Sequence, residues 1–206
     1  MSWKEQAITI PAADGLVLEG VWQAGGGQRG AVVAPPHPEY AGSLDNPVVN
    51  EIAYGLYQSG VASVRFNWRG VGASQGSVSG DLDAADADYA AALEQIARTV
   101  EGPVIGAGYS FGAAAALRSA LADRRVRGLL LVAPPVAMIE SLDLSKFDHP
   151  LYVIVGADDA FAPADRLSEL VAGTPRGQLE VILRADHFFV SGGLGELAGL
   201  VRGAQF

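Results

Sequence analysis

Short apolar runs alternate along the chain with longer segments in which apolar residues recur at helical spacing. Runs at 6–11 and 16–24 flank the segment Ala-Ala-Asp-Gly, which predicts an antiparallel hairpin at the start. Strand-like and helix-like segments then alternate, which predicts a mostly parallel sheet with helices on both faces. The later predicted strands are 30–34, 61–66, 103–107, 126–132, 151–155 and 179–183.

Helix start signals lie between these strands. Asn46 followed by Pro47 is typical of an N-cap and first helical residue. Asp81 precedes a longer segment of helical periodicity, and Pro163 opens another. A last amphipathic helix is predicted near 194–201. The chain has no linker or repeat, so we expect one domain over residues 1–206.

Composition and charge narrow the classes of partner. The sequence has no cysteine, which excludes disulfides and cysteine-bound zinc and fits a reducing compartment. The longest apolar run, 128–139, is interrupted by two prolines and is shorter than the roughly 20 residues of a membrane span. The net charge of −9 opposes binding to nucleic acid or anionic lipid. We expect a soluble, cytoplasmic protein; no pattern indicates its oligomeric state.

A G-x-S-x-G motif at 108–112 carries the first chemical signal. It follows an apolar strand and runs into four alanines that continue as a helix. Glycines two residues before and two residues after Ser110 allow the sharp strand-to-helix turn that exposes a nucleophilic serine. A structural alternative is that Ser110 only caps the helix. Nucleotide binding is disfavoured because neither this segment nor 70–76 has G-x-G-x-x-G spacing.

A serine nucleophile needs a general base, and the sequence offers three histidines. His187 follows the last predicted strand and therefore lies at the carboxyl edge of the sheet, where reactive groups of such folds belong. His149 precedes a strand and falls at the opposite edge. His37 follows an early strand, where we expect it to shape a loop beside Ser110.

The carboxylate that orients the base has two candidates. Asp158 and Asp159 both follow the predicted strand 151–155, and the chain order serine, aspartate, histidine matches the α/β-hydrolase arrangement. Asp186, next to His187, is interpreted as a turn residue.

The sequence resembles α/β-hydrolases over essentially its whole length, especially small bacterial hydrolases near the dienelactone hydrolase and prolyl-oligopeptidase branches. The segments that carry the resemblance are 36–38, 43–47, 66–74, 108–112, 156–159 and 186–189. The resemblance implies Asp159 as the acid, because the family's acid usually stands third after the glycine that ends the strand. It also implies an oxyanion hole from the N–H of Phe111 and that of Glu39 or Tyr40, although Pro38 stands where the family usually has glycine.

These assignments predict a serine hydrolase that cleaves small-molecule carboxylic esters without metal or organic cofactor. Serine at 110 argues against a dienelactone hydrolase proper, which uses cysteine, and against dehalogenases and epoxide hydrolases, which use aspartate. Thioesterase or short-peptide hydrolysis is the nearest alternative. A hydrolase-fold protein that binds a ligand without chemistry is the alternative from another class.

The predicted connection 133–150 is too short for a helical cap domain and holds at most one short helix. We therefore expect no cap and an open groove at Ser110, with a preference for short acyl groups. We expect the groove to be flanked by those residues that turn towards it among Tyr40, Phe111, Met138, Phe161 and Phe188. Met138, Phe161 and Phe188 are expected to contact substrate.

Overall fold

Within residues 4–206, which the computed structural model describes, eight strands form one sheet. The strands are β1 (Glu5–Pro11), β2 (Val17–Gln23), β3 (Gly30–Ala34), β4 (Ala62–Phe66), β5 (Val104–Tyr109), β6 (Val126–Val132), β7 (Leu151–Gly156) and β8 (Gly177–Ile182). Their order is β1-β2-β4-β3-β5-β6-β7-β8. β2 pairs antiparallel with β1 and β4, and all other pairs are parallel. The predicted parallel sheet with an N-terminal hairpin is confirmed.

Helices cover both faces of the sheet, as predicted. They are α1 (Pro47–Gln58), α2 (Leu82–Ala97), α3 (Phe111–Ala122), α4 (Val136–Ile139), α5 (Ala164–Ala172) and α6 (Leu194–Gly203). The apolar sides of α1 and α6 pack into one buried cluster, and those of α2, α3 and α5 pack into the other. Because both faces are covered, central strands such as β3 and β5 are buried at every position, which explains their continuous apolar sequences.

The helix start signals act as the sequence indicates. The side chain of Asn46 accepts a hydrogen bond from the N–H of Val48, and Asp81 caps α2 through the N–H of Asp83. Pro163 immediately precedes α5.

The last strand lies two residues earlier than predicted at its start and one residue earlier at its end. β8 is an edge strand, and its register pairs Gly177 with Leu151 and Ile182 with Gly156. Pairing with β7 therefore sets its limits. Leu183, which the apolar pattern placed inside the strand, lies beyond this ladder and is 75% exposed.

The connection between β6 and β7 contains α4 and a single 3-10 turn at Leu144–Lys146. The expectation of no cap domain is confirmed. In the part of the chain that the structure describes, no helix combines the length and apolar character needed to cross a membrane.

Candidate active site

Ser110 lies at the junction of β5 and α3 in a strained backbone conformation, with φ 55° and ψ −119°. Glycine is required at positions 108 and 112 because other backbone atoms approach closely there. A Cβ on Gly108 would lie 2.2 Å from the carbonyl oxygen of Gly112, and a Cβ on Gly112 would lie 2.4 Å from that of Ala34. The helix can therefore start directly against the sheet, and the turn holds the serine side chain out at the sheet edge.

Three residues predicted from separate parts of the sequence meet at this edge. The Oγ of Ser110 lies 2.9 Å from Nε2 of His187, and Nδ1 of the same ring lies 2.8 Å from Oδ2 of Asp159. His187 is 7% exposed and Asp159 is 4% exposed. The arrangement is a continuous hydrogen-bonded series from a hydroxyl through an imidazole to a buried carboxylate.

The loop after β7 places Asp159, and not Asp158, beside the imidazole. The second carboxylate oxygen of Asp159 accepts hydrogen bonds from the N–H groups of Phe161 and Ala162, both at 2.8 Å. Asp158 has an exposed side chain, and its backbone N–H donates to the carbonyl of Ala185. Its backbone therefore ties the loop to the segment after β8, while its carboxylate faces solvent.

The loop that carries His187 is held by a second aspartate. The carboxylate of Asp186 accepts hydrogen bonds from the N–H groups of Phe188, Val190 and Ser191 and from the Ser191 hydroxyl. The Ser191 hydroxyl and these N–H groups hold the pKa of Asp186 below its usual value. The turn role predicted for Asp186 matches these contacts.

Tyr109, the residue before Ser110, holds the same loop through a hydrogen bond. Its hydroxyl donates a 2.8 Å hydrogen bond to the backbone carbonyl of His187. Burial raises the pKa of Tyr109 above its usual range, with further contributions from the negative charges of Asp159 and Asp186. Sequence reasoning assigned no role to this tyrosine, because its hydrogen bond spans 78 positions along the chain.

The candidate oxyanion donors differ in their availability. Phe111 is the first residue of α3, so its N–H has no acceptor within the helix. The N–H of Glu39 donates to Nδ1 of His37 at 3.3 Å, a long hydrogen bond, and the N–H of Tyr40 donates to the His37 carbonyl at 3.1 Å. The His37 ring also packs edge-on against Phe111 at 4.8 Å. His37 thus organises the loop beside Ser110.

The segment after β4 supports that loop. The indole N–H of Trp68 reaches the carbonyl oxygens of Pro35 and Pro36, at 3.2 and 3.0 Å. The guanidinium of Arg69 contacts the buried carboxylate of Asp88 at 2.8 Å.

A pocket of about 680 Å³ opens in front of Ser110 and His187. Its remaining lining is mostly apolar and includes every residue expected to flank the groove: Tyr40, Phe111, Met138, Phe161 and Phe188. Phe161 and Phe188 are 56% and 62% exposed and form part of the rim, whereas Phe111 is 1% exposed. Asn46 also lines the pocket. Its sequence signal was that of a helix cap, and only the fold places it at the site.

The third histidine lies away from Ser110. His149 precedes β7, at the sheet edge opposite Ser110, and lies 3.5 Å from Asp148. Among residues 4–206, no group of three or more histidine, aspartate or glutamate side chains is placed to hold a metal ion.

Comparisons with known proteins agree with the fold, the strained turn at Ser110 and the hydrogen-bonded series of side chains. A family model described as Serine aminopeptidase, S33, matches residues 47–147. The chain is 31% identical over 171 residues to protein RP471 of Rickettsia prowazekii, and the match covers 77% of this chain and 71% of that relative.

Two solved structures extend the likeness to nearly the whole chain. A serine hydrolase homologue from Coxiella burnetii is 28% identical, with 96% of each chain covered and a TM-score of 0.87. A serine hydrolase without a lid from Xanthomonas campestris is 26% identical, with 97% of this chain and 93% of that chain covered and a TM-score of 0.84. The chain belongs to the α/β-hydrolase superfamily, among the serine hydrolases that lack a lid.

Proposed function

We propose that this protein hydrolyses small-molecule carboxylic esters through an acyl-enzyme on Ser110. The observation that carries the proposal is the hydrogen-bonded series of Ser110, His187 and Asp159, of which Ser110 and His187 line the pocket. Asp159 keeps the imidazole proton on Nδ1, so Nε2 accepts the Ser110 proton as Oγ attacks the ester carbonyl. The protonated imidazole then donates that proton to the departing alcohol, and water repeats the sequence to release the acid.

The tetrahedral intermediate needs donors for its negative oxygen. We assign one to the N–H of Phe111, at the positive end of the α3 dipole. The second donor is the N–H of Glu39 or that of Tyr40. The Glu39 N–H makes only a long 3.3 Å bond to His37, whereas Tyr40 is the one of the two that lines the pocket.

Two features favour esters over peptides with a free amino terminus, although the matching family model is described as a serine aminopeptidase. Recognition of an ammonium group requires a carboxylate or several acceptors in the pocket. Among the described residues that line the pocket there is no aspartate or glutamate. The apolar wall suits an uncharged acyl or alcohol group. The route needs no cofactor, and the cysteine-free sequence leads us to propose a cytoplasmic location.

A fluorophosphonate probe tests the assignment, because it labels only an activated serine. We expect stoichiometric labelling of the protein and of Ser77→Ala, an exposed control serine, and none of Ser110→Ala. A panel of matched esters, thioesters and amides then defines the bond cleaved. If the folded protein is not labelled and hydrolyses no ester, the proposal is wrong and a binding role is favoured.

A further inference from the structure

The pocket lining includes the side-chain amide of Asn46, whose oxygen accepts a hydrogen bond while its N–H groups are available to donate. The Oδ1 of Asn46 accepts the N–H of Val48 at 2.9 Å. Among residues 4–206, its Nδ2 has no hydrogen-bond partner. Since only the carbonyl oxygen can accept from Val48, this contact sets the orientation of the amide and leaves two N–H donors available. Asn46 also lines the pocket. Asn46 is therefore one of the residues that a substrate in the pocket would contact.

The other polar side chains that line the pocket already make hydrogen bonds, are covered by neighbouring residues or lie at the rim. Ser110 and His187 hydrogen-bond each other. A Cβ on Gly80 would approach Nε2 of His37 to 2.7 Å, so that edge of the ring is covered. Tyr40 is 82% exposed and contributes at the rim. The Asn46 amide is thus the fixed donor in a wall that is otherwise mostly apolar, the arrangement by which binding pockets orient a ligand.

We propose that Asn46 is a specificity-determining residue that donates a hydrogen bond to a second carbonyl oxygen of the substrate. This inference rests on the proposed esterase function and names its substrate class: uncharged esters that bear a further ketone, ester or amide oxygen. A neutral amide donor matches a neutral acceptor. A carboxylate would bring a charge into a wall that has no lysine or arginine among its described lining residues. The net charge of −9 opposes it further.

Because Asn46 also caps helix α1, its amide donor can be removed by substitutions that keep the cap. Asn46→Asp and Asn46→Ser both retain an oxygen that can accept the Val48 N–H, because aspartate and serine cap helices about as well as asparagine. Both remove the amide donor. Asp45→Asn is the matched control, since Asp45 is the exposed neighbour outside the pocket lining. Unfolding midpoints of all three should stay near that of the wild type.

The measurement is the ratio of kcat/KM for an oxo-substituted ester to that for its hydrocarbon isostere. One pair varies the acyl group, as in nitrophenyl 4-oxopentanoate and 4-methylpentanoate. A second pair carries the oxo group in the alcohol of an acetate ester, followed by acid release. In at least one pair we expect the wild-type ratio to exceed one. It should fall by about threefold to tenfold in both Asn46 variants, the size of one hydrogen bond, and persist in Asp45→Asn.

The outcomes separate this inference from the proposed function. Ester hydrolysis with ratios that are the same in the wild type and both Asn46 variants would overturn the inference alone. So would a loss of preference in Asp45→Asn equal to that in Asn46→Ser. Hydrolysis of no ester by a protein that folds would overturn the proposed function, and the inference with it.

Discussion

Replacing Asp159 with asparagine should stop the reaction by placing the imidazole in the wrong tautomer. One oxygen of Asp159 accepts from the N–H groups of Phe161 and Ala162, and the other faces Nδ1 of His187. An asparagine oxygen would keep the two backbone donors. Its amide nitrogen would then face Nδ1 and force that atom to accept, which moves the ring proton to Nε2. In that state Nε2 cannot take the proton from Ser110.

The structure also explains why the amide should not rotate to escape this state. Turning the asparagine oxygen towards His187 would set its NH₂ group against two backbone N–H donors, of which that of Ala162 is buried and that of Phe161 is partly buried. Each unsatisfied donor costs about 1–3 kcal/mol. The wrong tautomer should therefore dominate, and a loss of roughly 10⁴-fold in kcat is expected for such a change. This corresponds to about 5 kcal/mol of transition-state stabilisation.

The assay compares kcat/KM of Asp159→Asn and Asp158→Asn on one activated ester, with thermal unfolding as the control for folding. Asp158→Asn should retain nearly full activity, because its side chain is exposed and makes no contact with His187. A loss in Asp158→Asn equal to or larger than that in Asp159→Asn would refute the reasoning. So would near-normal activity of folded Asp159→Asn.

Three further predictions follow from the same geometry. Ser110→Ala and His187→Ala should each reduce kcat by roughly 10⁴-fold or more, and the double variant should be little worse, because the residues act as a unit; multiplied losses would contradict this. Full burial of a methylene would raise kcat/KM about fourfold. Each methylene added to the acyl chain from acetate to palmitate should raise it by much less, because the rim residues Phe161 and Phe188 are largely exposed. A steep continued rise, or a jump in rate above micelle formation, would indicate a covered tunnel. Gly108→Ala should lower the free energy of unfolding by roughly 1–3 kcal/mol in denaturant titrations, since the added Cβ meets backbone at 2.2 Å; a wild-type midpoint would contradict it.

Much of the architecture could be read from local pattern. Strands β3 and β6 were predicted at the observed residues, and the caps at Asn46 and Asp81 act as expected. These features depend on nearby residues: continuous apolar runs mark strands covered on both faces, and short polar side chains cap helices. The start of β8 was missed because it depends on pairing with β7, which lies far along the chain.

Part of the candidate site could likewise be predicted from local sequence, and part depends on residues far apart along the chain. The serine motif and the position of His187 after a strand follow from sequence, because a parallel sheet gathers the carboxyl ends of its strands at one edge. Spacing alone left Asp158 and Asp159 both open, and only the resemblance to hydrolases favoured Asp159. The side chains of adjacent residues in a turn point in different directions. The N–H groups of Phe161 and Ala162 bind the carboxylate of Asp159 and direct it inwards.

Local sequence is thus enough to identify the fold class and the candidate nucleophile and base, because each is encoded in a short segment whose role depends on its neighbours along the chain. The folded chain adds which carboxylate contacts His187, that Tyr109 holds the His187 loop, and that the cap residue Asn46 lines the pocket. These are distances between side chains from separate loops. They are fixed only when strand register and helix packing have brought those loops to the same edge of the sheet.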